Sequence, residues 1–468
     1  MLVLSPWLFG TTQPPVITGM NAGGYLLWGL LAMKWGIKCC RSYQPATWTK
    51  ASNRRLDVLG RFLLAVTVAV LACILVSAVN ARAVWNPETQ DFTYRNFVVW
   101  LPHSYDQPRT WRVFTNYVAL AGVFWATWDW LRGQTEAEER AGRSQFVGDA
   151  SVAAALPARL RTLLWVLCVN GGVLALEAIL QRQSGTVKLL WLMETHFNQQ
   201  ALSQFGPYAY RANGAQYLNL LWPVCLGFWW TLHRSAGFKH GKHHVLLLCG
   251  AIMAVGPFIS TARGGAIVAA GMMVAACLFL GGLHFLFPDR SRRASAPATT
   301  ALLLAVFFGG AGLAAWQIGG AVLEQRMTEL DAGMDNREQI YATARNVARD
   351  FHWFGTGPGT LPAVFPLYRQ SADEFTPVQL HNDWLETRIT FGWIGLGLIL
   401  LALLAVLLRW WIPGGIHGGR RLVGLCWLSL AGALVQARYD FPFQIYSILM
   451  LALVLCAILF NLSRRGGA

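Results

Sequence analysis

Three side chains that can hold charge or move a proton stand where apolar stretches of this sequence begin or turn: His381, Arg211 and Arg263. His381 lies in Leu380-His381-Asn382-Asp383-Trp384-Leu385-Glu386, just ahead of an apolar run that starts near Phe391. A neutral imidazole takes a proton near pH 7, where no other side chain has its unperturbed pKa. General base is one reading of His381 and a satisfied structural histidine is the other. Arg211, in Tyr208-Ala209-Tyr210-Arg211-Ala212-Asn213-Gly214, immediately precedes an apolar run from 215. Arg263, in Ser260-Thr261-Ala262-Arg263-Gly264-Gly265, interrupts the apolar stretch from Val245 to Phe287 and marks a helical hairpin. An arginine below the membrane interface costs about 2.5–3.5 kcal/mol, which points to an internal partner or ligand; snorkelling at the hairpin tip is the alternative. For any one such arginine, pairing with acids such as Asp331, Asp335 and Glu338 is the alternative to gripping phosphate. Two fixed cations and one base suit a pyrophosphate reaction. The arginines would grip the diphosphate in a two-pronged way and stabilise the charge that grows on it as it leaves. The histidine would deprotonate an incoming hydroxyl. That scheme requires no metal and no other cofactor.

The elements that position these residues follow from composition. With 55% hydrophobic residues, 13% charged residues, 22 Trp and a mean hydropathy of +0.40, the chain reads as a polytopic membrane protein. Spans of about 20 helical residues cross a hydrocarbon core of about 30 Å. They are expected near 20 to 37, 61 to 79, 114 to 131, 162 to 180, 215 to 232, 245 to 261, 265 to 287, 300 to 320, 392 to 411, 422 to 437 and 443 to 461. The fold class is thus an all-α integral membrane bundle of about 11–12 helices, and the lack of strand alternation excludes a β-barrel. Residues 2 to 9 are too short to span, fit a re-entrant start or the tail of a truncated helix, and lack the basic region of a cleaved signal peptide.

Alternate connections from 38 to 61, 132 to 161, 233 to 244, 288 to 299, 409 to 421 and 462 to 468 hold 22 Lys and Arg against 15 in the opposite set. The positive-inside rule then places the C-terminus in the cytoplasm and His381 outside. Of those 15 outer residues, 14 are Arg, with Lys188 the exception. The net charge of +15 is spread over loops, which suits topology and anionic lipid headgroups rather than nucleic acid. The nine cysteines fall in spans or, for Cys39 and Cys40, in a cytoplasmic loop, so no disulfide framework is implied. His240, His243 and His244 lie in a basic turn without acidic or cysteine companions at ligand spacing, and read as a solvated loop, not a metal site.

The longest outer segment runs from 321 to 391, between membrane helices in 1–320 and 392–468. From Glu324 to Phe351 it shows helical spacing of Ile340, Ala344, Val347, Ala348 and Phe351 and predicts one amphipathic helix. Phe354-Gly355-Thr356-Gly357-Pro358-Gly359 follows as a tight turn. It does not open a βαβ unit, so close backbone approach to another loop or a ligand is the inference, not dinucleotide binding.

The ordered set of motifs resembles the O-antigen ligase and polymerase-type membrane glycosyltransferases of bacteria. It runs from Tyr210-Arg211-Ala212-Asn213-Gly214 through Ser260-Thr261-Ala262-Arg263-Gly264, Asn336-Arg337 and the glycine turn. It continues with His381-Asn382-Asp383-Trp384-Leu385, Phe391-Gly392-Trp393-Ile394-Gly395 and Asp440-Phe441-Pro442. The resemblance implies a helical bundle of the inner membrane capped by a long periplasmic loop. It implies transfer of a glycan from undecaprenyl diphosphate to an acceptor hydroxyl, such as a lipid A-core sugar, with inversion and without metal. His381 would be the base, Arg211 and Arg263 the diphosphate binders, with Arg337 and Arg345 as further candidates. Arg438 and Asp440 would pair or shape the rim, while Asp383 and Glu386 would orient the imidazole or lie solvated at a helix start. The single loop and one Arg-Gly-Gly hairpin lean toward a ligase; a polymerase shares the donor chemistry. A non-enzymatic transporter or flippase of a lipid-linked glycan is the competing class.

Overall fold

The computed structural model describes residues 1–41, 54–133, 156–195, 198–236, 241–286, 330–369, 377–412, 416–417 and 419–463, with short pieces between 304 and 324. Long apolar runs have only one way to satisfy their backbone groups in lipid, and they are helical. The helices are α1 (Pro14–Arg41), α2 (Arg54–Val79), α3 (Gln107–Leu131), α4 (Ala158–Ser184), α5 (Arg211–Ala236), α6 (Val245–Ile259), α7 (Arg263–Leu286), α8 (Leu330–Asp350), α9 (Asp383–Leu408), α10 (Arg420–Gln436) and α11 (Tyr446–Asn461). Every expected span is occupied by one of them except 300 to 320, where the described residues, 304–305, 307–313 and 316–317, are helical. Among the described residues, six helices are long and apolar enough to cross a membrane, so the protein is a polytopic helical membrane protein. The apolar start forms a single turn, Leu4–Trp7, tied to α4 by the Trp7 indole donating to Asn170 Oδ1 at 2.8 Å.

Helix α5 is the centre of the bundle. It packs against α4, α6, α7, α10 and α11, and Tyr217, Trp222, Phe228 and Trp229 are fully buried along it. Protein rather than lipid surrounds it, which is why it tolerates Asn213, Gln216 and Asn219 in its first turns. The Asn219 amide donates to Gly265 O at 3.0 Å, and a Cβ at Gly265 would lie 2.7 Å from Ala215 Cβ. Small residues thus let the starts of α5 and α7 approach closely. The turn between α6 and α7 occupies Ser260 to Ala262, as the Arg263 motif predicts, and Arg182 from α4 donates to Ser260 O at 2.9 Å.

Helix α9 is broken at Gly392, whose φ is 67° and ψ −170°. In a continuous helix the Trp393 and Ile394 amides would donate to Ile389 and Thr390. Here those carbonyls accept instead from Thr356 N at 2.9 Å and Gly357 N at 3.1 Å. The two amides donate to His352 O at 2.9 Å and Trp353 O at 3.1 Å. The glycine turn therefore inserts into the helix ladder, and the close approach expected of it is to backbone. Gly355, Gly357 and Gly359 all have positive φ there, a conformation that glycine adopts at no steric cost.

Outside the bundle core, a second apolar cluster joins α8 to segments distant in sequence. Tyr341, Ala344, Val347 and Ala348 of α8 pack with Leu361, Phe365, Leu380 and Ile389, confirming the amphipathic face. Phe92 and Tyr105 complete this cap; Phe92 belongs to an antiparallel hairpin, β1 (Ala83–Asn86) with β2 (Asp91–Tyr94). The hairpin is short enough that its alternation does not stand out in the sequence.

Any side chain at Gly392 would have to hold a left-handed backbone and place its Cβ 2.2 Å from Trp353 O. Gly392→Ala is expected to cost roughly 3 kcal/mol or more, read as a lowered thermal midpoint of the purified protein in detergent. An unchanged midpoint would show that the ladder insertion is not required.

Candidate active site

The site is built where α5, α7 and α9 begin. Arg211 is the first residue of α5 and Arg263 the first of α7, and neither helix has an acidic residue in its first turn. The exposed amides and dipole at such an end favour an anion. Arg211 Nη1 donates to Leu202 O at 2.6 Å, so its guanidinium is anchored at one edge. Tyr210 links the two starts: its ring packs on Ala212, Ala215 and Ala262, the neighbours of Arg211 and Arg263.

His381 sits one residue ahead of the N-cap of α9. Asn382 caps that helix by accepting from Leu385 N at 3.1 Å, which leaves His381 in the left-handed region at φ 53°. A non-glycine residue there costs about 1–2 kcal/mol, so surrounding contacts must hold it. Tyr341 of α8 donates its hydroxyl to His381 O at 2.9 Å. The imidazole meets Phe441 edge to face at 4.8 Å and Tyr210 at 6.0 Å, while Tyr210 and Phe441 stack at 5.4 Å.

The imidazole Nδ1 lies 3.2 Å from Asp440 Oδ1, and Asp440 is nearly buried. A carboxylate accepts, so Nδ1 is the donor in this pair, and Nε2 is the ring nitrogen that makes no bond to Asp440. The same Oδ1 accepts from Phe441 N at 3.1 Å, which fixes the carboxylate. Arg337 Nη1 donates to Tyr439 O at 2.7 Å, and the guanidinium also reaches the Tyr210 hydroxyl. Burial, and secondarily Asp440, raise the Tyr210 phenol above its usual range; Arg337 and Arg211 act in the opposite sense. The hydroxyl therefore stays protonated and serves as a donor.

Three sequence-derived candidates, His381, Arg211 and Arg337, are thus brought around Tyr210, a residue whose sequence neighbours gave no hint of this role, and Arg263 follows Ala262, which packs with the same tyrosine. Others fall elsewhere. Arg345 pairs with Glu338 on the exposed side of α8. Arg438 lies over the rings of Tyr341 and Tyr439 at 5.9 and 5.8 Å, and Asp440 bonds the imidazole. Asp383 and Glu386 are neither solvated nor bonded to the imidazole. Asp383 Oδ2 accepts from Phe443 N at 2.8 Å, and Glu386 Oε2 accepts from Leu380 N at 2.9 Å. Both are buried and clamp the loops on either side of His381. The Asp335 side chain, a possible partner of Arg337, lies outside the described residues.

The reading of a solvated basic loop at the other end of the bundle is corrected by burial. His243 is 4% exposed and meets His233, which is 6% exposed at the end of α5. His240 lies outside the described residues.

No curated protein matches the chain. Residues 248–401 match the family model described as Wzy_C, O-Antigen ligase. That stretch contains Arg263, Arg337, His381 and the Gly392 break, while Arg211 and Asp440 join it through contacts made by the rest of the bundle. Over residues 248–401 this multi-pass membrane protein carries an O-antigen ligase domain.

Proposed function

We propose that the protein transfers a glycan from undecaprenyl diphosphate to the hydroxyl of an acceptor, a lipid A-core sugar or similar, at the periplasmic face of the bacterial inner membrane. The observation that carries this reading is the His381 Nδ1 to Asp440 Oδ1 contact of 3.2 Å, set beside two helix starts headed by arginine. Asp440 holds the imidazole in the tautomer whose Nε2 accepts a proton. The acceptor oxygen attacks the anomeric carbon as the bond to the diphosphate breaks, and His381 takes the hydroxyl proton. Attack opposite the leaving group inverts the anomeric centre.

The diphosphate leaves with growing negative charge. Arg211 and Arg263, together with the amide groups of the first turns of α5 and α7, supply positive potential for it. Arg337 holds the Tyr210 hydroxyl and Tyr439 carbonyl, so it serves the site by keeping the Phe441 and Tyr210 wall against the imidazole. None of these roles uses a metal ion. The excess of Lys and Arg in the opposite set of connections supports the outward placement of the site.

Reconstitution of the purified protein with a lipid-linked oligosaccharide and an acceptor tests the reading. His381→Ala is expected to bind donor normally and to lose about 10²–10⁴-fold in turnover. Normal turnover by that variant would remove the base assignment, whereas donor binding without product by the parent protein would favour a transporter. Replacing Asp440 by Asn is expected to lower turnover roughly tenfold to a hundredfold, the size of a lost charge-assisted hydrogen bond, with the thermal midpoint kept. Arg263→Lys retains charge without the planar fork; if the diphosphate is gripped bidentately, turnover drops at least about tenfold. Equal activity of the Lys and Arg forms would leave Arg263 as a snorkelling side chain. Whether the product is a capped acceptor or a lengthened lipid-linked chain separates ligase from polymerase in the same assay.

A further inference from the structure

We propose that His233, His243 and His244 form a binding site for a divalent transition-metal ion of the Zn²⁺ class at the end of α5 opposite Arg211. Twenty-two residues of helix, about 33 Å at the usual rise, separate it from the start of α5. His233 comes from the last turn of α5, and His243 and His244 from the 3-10 turn Gly241–His244 that leads into α6. One ligand nitrogen from each ring can be chosen so that all lie within 4.8 Å of one another.

Tetrahedral Zn²⁺ with bonds of about 2.0–2.1 Å to nitrogen sets its ligand nitrogens about 3.3–3.4 Å apart. His233 Nδ1 and His243 Nε2 are already 3.2 Å apart. The rings of His243 and His244 are 4.2 Å apart between centroids, and those of His233 and His244 5.6 Å. Imidazole is the preferred ligand of Zn²⁺, Co²⁺, Ni²⁺ and Cu²⁺.

The surroundings restrict ring movement. Trp229 stacks on His233 at 5.0 Å, with the planes 13° apart, and its ring lies 6.4 Å from that of His244. Arg421, at the start of α10, lies 4.7 Å above the neighbouring Trp230. Lys242, between Gly241 and His243, is exposed. Three neutral donors leave a fourth position for water, and the ion would cross-link the end of α5 to the start of α6.

The test uses the full chain, purified in detergent without a histidine tag and stripped by chelator, with Co²⁺ alone and then Zn²⁺ as probes. One Co²⁺ per chain with the intense visible bands of a tetrahedral site, displaced by one Zn²⁺, is the expected result. His233→Ala and His243→Ala should each weaken binding by at least about tenfold, while His352→Ala, exposed at the opposite end, should leave it unchanged. Absence of binding, an octahedral spectrum, or equal loss in His352→Ala would overturn the site. Should the buried variants fail to fold, His244→Ala, at a partly exposed position, decides: unaltered Co²⁺ affinity there would also overturn it.

Discussion

A spanning helix that interrupts its own hydrogen-bond ladder strands two carbonyls and two amides, and in an apolar bundle water does not replace them. In this protein the turn from His352 to Gly357 supplies all four partners to α9. The exchange explains why glycine stands at both Gly355 and Gly392, for each would drive a Cβ into the backbone of the other segment. It also binds the cap to the bundle through main-chain bonds. The first turns of α9 are thereby aimed independently of the rest of the helix, and His381 is carried at their head. Arg388 reinforces the joint by donating to Phe351 O at 3.3 Å and His352 O at 3.1 Å while lying over Trp393.

Around that joint, polar groups are divided by task. The two acidic residues of the first turn of α9 point inward and are consumed by the amides of Leu380 and Phe443. The first turns of α5 and α7 have no acid to offset their positive ends. His381 is braced at its carbonyl by Tyr341 and at its ring by Phe441 and Asp440. A strained backbone at His381 is thus held by contacts from α8 and from the turn between α10 and α11, so that three separate elements define one nitrogen.

The helical frame was legible because membrane spans are written in hydropathy, a property of each residue alone. The Arg263 hairpin and the apolar face of α8 were legible for related reasons: one interrupts a run and the other repeats at helical spacing. The glycine turn announced a close approach without naming its partner, since the partner is α9, some 35 residues on. Asp440 stood among the motifs as a rim residue, but its bond to the imidazole, across 59 positions, and the central place of Tyr210 emerged only in three dimensions. Asp383 and Glu386 looked better placed in sequence to orient the imidazole, but the N-cap at Asn382 turns their carboxylates into the loops. His233 likewise reads as one more polar residue at a helix end until the turn after α5 folds back on it.

The cap has a temporal consequence. Thr110 donates to Pro358 O across 248 residues, and Tyr105 N donates to Thr356 O beside it. At a synthesis rate of about 5–20 residues per second, the first partner waits roughly 12–50 s for the second to emerge. Throughout that interval Phe92 lacks the α8 residues that it packs with in the finished cap. Its early companions are limited to the neighbouring strand and loop, where Trp85 lies 4.6 Å from Phe92. The two-stranded pairing of residues 83–94 is thus the part of the cap that contacts between near neighbours in sequence can close.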